Sequence, residues 1–493
     1  MAQIGQLAPA TALGRGATGA YRHPGVVFDV WQTQLAIASV MAATHASRER
    51  VMQLQQLRLR QLFDVARRAG VYRERLAGLD RPSDLQRFAP VSRAELMDRF
   101  DEWVCDPALQ LHELRALVAD VSRSGEPWLG RYQIWESSGT SGQPGIFVQD
   151  ARSLAIYDAL ESVRSRAPGH PARDWFGAML PFDLLGMTDR YALVVATAGH
   201  FASVVNFERL RRINPWLGAV SRSFDLLGAT GELVRQLNRF QPSVLATYPT
   251  AAVWLAGEAL SGHLQIAPHC VMTGGETLSP AARTQIEQAF GSSVRDSYGA
   301  SEFLSMAWEC AHGQLHVNDD WAILEPVDAS GRPTPPGERS ERVLLTNLAN
   351  HVQPLIRYDL GDRILLDSAA CACGSNRPVI DVRGRDDDPF RVPGQRAGQT
   401  IWLLPMSLST VMEDCGVFDF QLLQSDTDTI VIRLSQDGDA ARVAFDRCQR
   451  ALQRFAQEQG AGLLNVVAEY GCTLPRGRSG KASRVAMPEP AGT

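Results

Sequence analysis

YQIWESSGTSGQPG, residues 132–145, joins a run of aromatic and β-branched residues to a loop of small hydroxyl residues and glycines. The run YQIWE predicts a strand. The loop after it offers backbone N–H groups and Ser/Thr hydroxyls that can wrap phosphate oxygens without steric cost. It is not a Walker A loop, which ends in Gly-Lys-Ser/Thr. Taken alone, a Ser/Gly segment is as readily a surface turn, so its meaning depends on what surrounds it. Outward from it, the apolar runs WFGAML (175–180), YALVVATA (191–198), PSVLATY (242–248) and HCVMTGG (269–275) alternate with helix-like segments such as SPAARTQIEQAF (279–290). That alternation, from about residue 132 to 382, predicts α/β layers around a substantial sheet.

The chain has 493 residues, 45% apolar and 21% charged. A single core stops growing near roughly 250–300 residues, so at least two domains are expected. A net charge of −5 argues against a nucleic-acid-binding surface. No apolar run approaches the roughly 20 residues of a membrane span. The start, MAQIGQLAPATALGRG, lacks the charged and apolar regions of a secretory signal. The eight cysteines are spread along the chain, which suits a reducing compartment, and the expected location is the cytoplasm.

Residues 1–22 read as a loose leader. From 27 to 69 the residues Leu35, Val40, Met41, Val51, Leu54, Leu57, Leu62 and Val65 recur at helical spacing and predict packed helices. Residues 318–366 are strand-rich, with AILEPVD, RVLLTNL and RILLDS as strands and GRPTPPGE (331–338) as a turn. Charge, Pro and Gly crowd into GRDDDPFRVPGQRAG (384–398), which reads as a hinge. Beyond it, VFDFQLLQ, TIVIRLS, a helix over 439–460 and LLNVVAEYG predict a small α+β domain. The expected division is a helical lead-in over 1–130 packed on a large domain, the large domain over 131–384, and a mobile C-terminal domain over 385–493.

DSYGASEF (296–303) and RYDLGDR (357–363) each place a carboxylate, Glu302 or Asp362, beside a small-residue bend where a hard cation or ribose hydroxyls could be met. Singly, each is an ordinary acidic turn. LPRGRSGKASR (474–484) is more unusual. Of 49 basic residues, 48 are arginine and the one lysine is Lys481. Arginine serves wherever a generic positive charge suffices, so Lys481 points to a requirement for a compact ammonium. ECAHGQLH (309–316) and CACG (371–374) bring Cys310, His312, His316, Cys371 and Cys373 into consideration as metal ligands. Cys310, His316, Cys371 and Cys373 are the preferred tetrahedral Zn²⁺ set, which would be structural because four protein ligands leave no open position. The alternative is a group of reduced cysteines near a loop, since C-x-C is less diagnostic than C-x-x-C.

The ordered set SSGTSGQPG, VMTGGETLSP, DSYGASEF, RYDLGDR, GRDDD and PRGRSGKASR resembles the adenylate-forming superfamily of acyl-CoA synthetases, luciferases and peptide-synthetase adenylation domains. It looks most like the branch of phenylacetate-CoA ligases, CapK-like capsule-biosynthesis proteins and synthetases that adenylate a deazaflavin cofactor. The resemblance runs from about residue 132 to the end. It implies an α/β fold, with a large multi-layer N-terminal adenylation domain carrying a β-rich subdomain, and a small α+β C-terminal lid.

It also implies roles. Ser138, Gly139, Thr140, Ser141 and Gly142 would hold the β- and γ-phosphates, and Glu302 would bind Mg²⁺. Tyr298 and the Gly274-Gly275-Glu276 segment would line the adenine pocket, with Asp296 also a nucleotide-binding residue. Asp362 would accept hydrogen bonds from the ribose, with Arg385 nearby. Lys481 would stabilise the charge gathered between acid and phosphate, and Asp387 would be the pivot of a rotating small domain. Gln143, where many members carry lysine, and Leu360, where threonine is usual, depart from the pattern.

The activity implied is ATP-dependent formation of an acyl-adenylate from an aryl or arylalkyl carboxylic acid, then transfer to a thiol such as coenzyme A. Two alternatives stand beside it: transfer to a carrier protein, an amine or another nitrogen nucleophile, and a non-catalytic nucleotide-binding homologue. ATP, Mg²⁺, structural Zn²⁺ and coenzyme A are the expected cofactors and co-substrates. The expected partners are a small carboxylic acid, coenzyme A or a carrier protein, and a second copy in a homodimer. PFDLLGM (181–187), ATYPT (246–250) and the run near Phe303 are candidates for the acid pocket.

Overall fold

Two polar side chains divide the predicted 27–69 helical stretch. Asp29 accepts a hydrogen bond from the Gln32 amide (3.0 Å) and starts α1 (Val30–Thr44), while Ser47 caps α2 (Arg48–Ala66). The structure, a computed structural model, describes residues 27–78, 81–137, 144–165, 189–335, 337–367, 371–383, 389–396, 398–417, 420–474 and 484–486. The buried face carries Ile37, Val40 and Ala43 on α1, and Leu59, Leu62, Phe63 and Ala66 on α2. Leu35, Met41 and Leu57, expected in that stripe, are exposed. Leu35 and Leu57 lie two residues from Ile37 and Leu59, about 200° round the helix, which turns them to the opposite side.

YQIWE forms β1 (Tyr132–Glu136), paired antiparallel with β2 (Ile146–Asp150) from Tyr132↔Asp150 to Glu136↔Ile146, so residues 137–145 connect the strands of a hairpin. Asp150 then caps α3 (Ala151–Arg164) in a reciprocal box with Ser153. The alternating region supplies β3 (Tyr191–Val195), β4 (Ser221–Asp225), β5 (Val244–Thr247), β6 (Cys270–Gly274) and β7 (Ser293–Ala300). It continues with β8 (Phe303–Glu309), β9 (Leu315–Val317), β10 (Ala322–Val327), β11 (Arg342–Asn347) and β12 (Leu355–Asp359), then β13 (Arg363–Asp367) and β14 (Val379–Arg383). Among the described residues, one sheet has the order β13-β14-β9-β8-β7-β6-β5-β3-β4, and β10-β11-β12 form a second.

Strands β3 to β7 pair in parallel. Helices α4 (Thr230–Phe240), α5 (Pro249–Leu260) and α6 (Pro280–Phe290) supply crossovers between them. Because helices cover such a sheet, its strands are nearly continuous apolar runs (YALVV, VLAT). DSYGA, expected at a bend, is strand, and the bend falls at Ser301 and Glu302 between β7 and β8. WFGAML and PFDLLGM lie outside the described residues.

The C-terminal part has its own core, built by residues from Phe390 to Val485. A hairpin of β15 (Phe390–Pro393) and β16 (Thr400–Leu403) leads to α7 (Pro405–Asp414). Next come β17 (Phe420–Asp426), β18 (Thr429–Leu434), α8 (Asp439–Glu458), β19 (Asn465–Glu469) and β20 (Val485–Ala486), in a sheet of order β19-β18-β17-β20. Strand β15 lies inside the stretch read as hinge, and α7 was not anticipated. Two four-residue strands broken by Pro and Gly look like a loop in sequence.

A buried ionic network joins the lead-in to the sheet. Arg164 grips both Asp320 oxygens (2.8 and 3.0 Å), Arg377 donates to Asp319 (2.6 Å) and Asp320 (2.9 Å), and Arg58 stacks 3.4 Å over the Trp321 ring. Burial opposes the Asp320 charge, but Arg164 and Arg377 hold the carboxyl well below the usual range. Among the described residues, no helix is long and apolar enough to cross a membrane.

Candidate functional site

The ends of the 137–145 loop are pinned. The Ser137 amide donates to the Gly145 carbonyl (2.8 Å), and the Ser137 hydroxyl accepts from the Gly145 amide (2.9 Å) and from Arg93 (3.1 Å). Ser137 and Arg93 stand on the wall of a cleft of about 1070 Å³, which Gly275, Glu276, Asp296, Tyr298, Glu302, Tyr358 and Asp362 also line. The structure thus brings together residues from four of the sequence motifs. Ser138, Gly139, Thr140, Ser141, Gly142, Gln143, Arg385, Asp387 and Lys481 lie outside the described residues.

Two carboxylates in the cleft are held reciprocally. The Tyr298 hydroxyl, from DSYGASEF, donates to Asp362 (2.8 Å) in RYDLGDR. In turn the Tyr358 hydroxyl, from RYDLGDR, donates to Glu302 (2.7 Å) in DSYGASEF. Burial and the facing carboxylates push both phenols well above their ordinary range, so both stay protonated donors. The turn that presents Glu302 depends on Gly299, where a Cβ would stand 2.0 Å from the Leu304 carbonyl oxygen. The turn is also held from the core by buried Asn347, which donates to the Glu302 carbonyl (2.8 Å). Asp362 follows Gly361, whose φ of +67° suits glycine, and Asp359 accepts from the Gly361 amide (2.8 Å).

At the end of β6, Gly275 has φ +82° and packs against the Tyr248 ring. Glu276 accepts from the Thr250 amide (3.1 Å) and hydroxyl (2.8 Å). Burial pushes the Asp296 carboxyl up to about 6; the Thr273 hydroxyl (2.8 Å) opposes this and Glu309 adds to it. Beside these groups, at the C-terminal ends of β3 and β5, lies a small apolar cluster of Leu193, Val195 and Val204 packed with Phe201, Phe207 and Tyr248. In open α/β sheets this edge is where ligands bind. Of the run near Phe303, Ala300, Ser301 and Glu302 line the cleft, whereas Phe303 itself is fully buried and meets Tyr157 edge-on (4.9 Å). Alternation along β8 turns it into the core.

From the C-terminal part, Pro405, Ser409 and Arg484 reach the cleft. Arg484, three residues after Lys481, is buried, pairs with Glu413, and accepts from the Leu422 amide at its carbonyl (2.6 Å). Sequence reasoning missed Arg93, Tyr358 and Arg484. Tyr358 and Arg484 lay inside quoted motifs, whereas Arg93 carried no local signal.

Cys310, His316, Cys371 and Cys373 converge with all their ligand atoms within 4.8 Å of one another. Cys310 and Cys371 sulfurs are 3.9 Å apart, and Cys373 Sγ is 3.2 Å from His316 Nε2. Tetrahedral Zn²⁺, with Zn–S about 2.3 Å and Zn–N about 2.0 Å, sets ligand atoms about 3.5–3.8 Å apart. The donor set therefore fits. His316 Nδ1 lies 3.1 Å from the Arg377 carbonyl oxygen, which fixes the ring and leaves Nε2 toward the sulfurs. His312 is not in the cluster.

No family model matches the chain. It is 26% identical over 211 residues to Protein CapK of Staphylococcus aureus, covering 42% of this chain and 45% of that protein. It is 26% identical over 281 residues to phenylacetate-coenzyme A ligase of Escherichia coli (strain K12), covering 53% and 57%. The chain thus spans about half the length of the curated relatives it matches. Among solved structures it is similar to 2-hydroxyisobutyryl-CoA ligase in complex with 2-HIB-AMP and CoA in the thioesterification state, with TM-score 0.55, 18% identity, and 90% of this chain and 91% of that one covered. The open conformation of that ligase gives 0.51 at 19% identity, covering 90% and 92%. CapK and phenylacetate-CoA ligase are homologues of this chain, and its fold is that of acyl-CoA ligases of the adenylate-forming superfamily.

Proposed function

With that kinship as premise, we propose that the chain is an AMP-forming ligase that activates a small carboxylic acid as its acyl-adenylate and transfers the acyl group to coenzyme A. The observation that carries this reading is the reciprocal pair Tyr298–Asp362 and Tyr358–Glu302, which holds two carboxylates ready in one cleft. Asp362 accepts from the ribose hydroxyls, and Tyr298, Gly275 and Glu276 line the adenine. Asp296 and Arg385 complete the nucleotide contacts. The loop Ser138, Gly139, Thr140, Ser141 and Gly142 donates to the β- and γ-phosphates. Glu302 holds Mg²⁺, which when bound neutralises phosphate charge.

An acid oxygen attacks the α-phosphorus, the bond to pyrophosphate breaks, and Lys481 stabilises the charge on the shared oxygens. The small domain then turns about Asp387, and the thiolate of coenzyme A attacks the acyl carbonyl with AMP as leaving group. Tyr248, packed against Gly275 of the cleft wall and clustered with Phe201 and Phe207, suits an aryl or arylalkyl acid. Cys310, His316, Cys371 and Cys373 hold a structural Zn²⁺. No disulfide joins any of the eight cysteines, which supports a reducing, cytoplasmic setting.

The test is acid-dependent exchange of labelled pyrophosphate into ATP across a panel of carboxylates, followed by acceptors offered to the best acid. Exchange strongest with aryl and arylalkyl acids, and a coenzyme A thioester as product, is the expected result. No exchange with any acid contradicts the reading; transfer only to a carrier protein or amine contradicts its second half.

A further inference from the structure

The two cores exchange one leucine each. Leu227, in the turn after β4, packs against the C-terminal core, while Leu404, just before α7, is buried in the core of the parallel sheet. Between them sits Gln459, at the C-terminal cap of α8 and 8% exposed. Its amide nitrogen donates to the carbonyls of Leu227 (3.0 Å) and Gly228 (2.7 Å), and its oxygen accepts from the Thr230 hydroxyl (2.5 Å). Both ends of one side chain are therefore spent across the junction, on the turn that opens α4. Neither Gln459 nor Thr230 lines the cleft.

We propose that Gln459 is a positioning residue, a clamp that holds the C-terminal domain in the orientation that brings Arg484 to the cleft. This rests on the adenylation reading, in which the C-terminal domain turns between the two half-reactions: the clamp favours one of the two orientations, and its loss favours the other. An amide side chain suits the task because it reads carbonyls and a hydroxyl at once, and gives them up without stranding a charge. The selectivity lies in both ends. A carboxylate at this position would still accept from Thr230 but would face two carbonyl oxygens with no proton to offer.

The test compares full-length wild type, Gln459→Ala, Gln459→Glu and Thr230→Val in both half-reactions, with small-angle scattering on each protein. Gln459→Ala is expected to change the ratio of pyrophosphate exchange to transfer from supplied acyl-adenylate about tenfold, and to shift scattering away from the clamped arrangement. Gln459→Glu should move that ratio at least as far, and Thr230→Val less, since it keeps both carbonyl bonds. Equal loss in both half-reactions with unchanged scattering, or no change at all, overturns the clamp. If wild type exchanges with no acid, the adenylation reading fails by itself, and the scattering series still decides whether Gln459 holds the domains.

Discussion

Glu302 and Asp362 sit in two motifs 60 residues apart in sequence, yet each is held by a tyrosine from the other's motif. A buried acceptor that loses its donor costs more than the hydrogen bond itself contributes. Tyr358→Phe is therefore expected to lower stability by about 1–3 kcal/mol in urea denaturation and to slow pyrophosphate exchange about tenfold or more; a variant equal to wild type in both would remove Glu302 positioning from the account. Asp296 gives a pH prediction. Its folded pKa, about 6, lies above the ordinary 3.8 because burial disfavours the charge. The stability it adds is complete below about pH 4 and is lost as pH rises through about 6. Asp296→Asn, fixed neutral, should gain on wild type across that window by at most about 3 kcal/mol, read from denaturation curves at each pH; a constant difference from pH 4 to 7 would contradict it. The carboxylates could be picked out in sequence because motif order marks them. Their tyrosine partners could not, because pairing between motifs is a tertiary fact.

At the scale of elements, period-2 and continuous apolar runs located β1, β3, β5, β6, β10, β11 and β13 within a few residues. The misses have physical causes. Helical spacing was satisfied by Leu35 and Leu57, but an exposed leucine on α1 or α2 satisfies it equally, and only packing against Arg164, Asp320 and the sheet chooses the face. The β7–β8 turn was read as a simple bend because its demand, a backbone approach that only Gly299 permits, leaves no trace beyond one glycine. Gly299→Ala should destabilise by about 3 kcal/mol or more and disorder the Glu302 turn; unchanged thermal unfolding would contradict that. The Cys/His group ties the β8–β9 turn to the segment before β14. Purified protein is expected to carry about one zinc per chain, and a chelator to lower the melting temperature, since ligand binding to the folded form alone adds to stability; protein that is metal-free at full stability would contradict it.

For the whole molecule, length and the break near residue 384 predict more than one unit; the buried residues form separate cores around the large sheets and around α8. What sequence could not supply was how the units meet: Gln459, Leu227 and Leu404 are unremarkable residues whose importance is a matter of geometry. The proposed chemistry turns on the Lys481 ammonium, and its most direct measurement is acid-dependent pyrophosphate exchange by Lys481→Arg beside wild type. Robust exchange is expected in wild type and a loss of about a hundredfold or more in the variant, at unchanged melting temperature, because a guanidinium does not replace a compact ammonium at the reacting oxygens. Near-normal exchange in Lys481→Arg would contradict it.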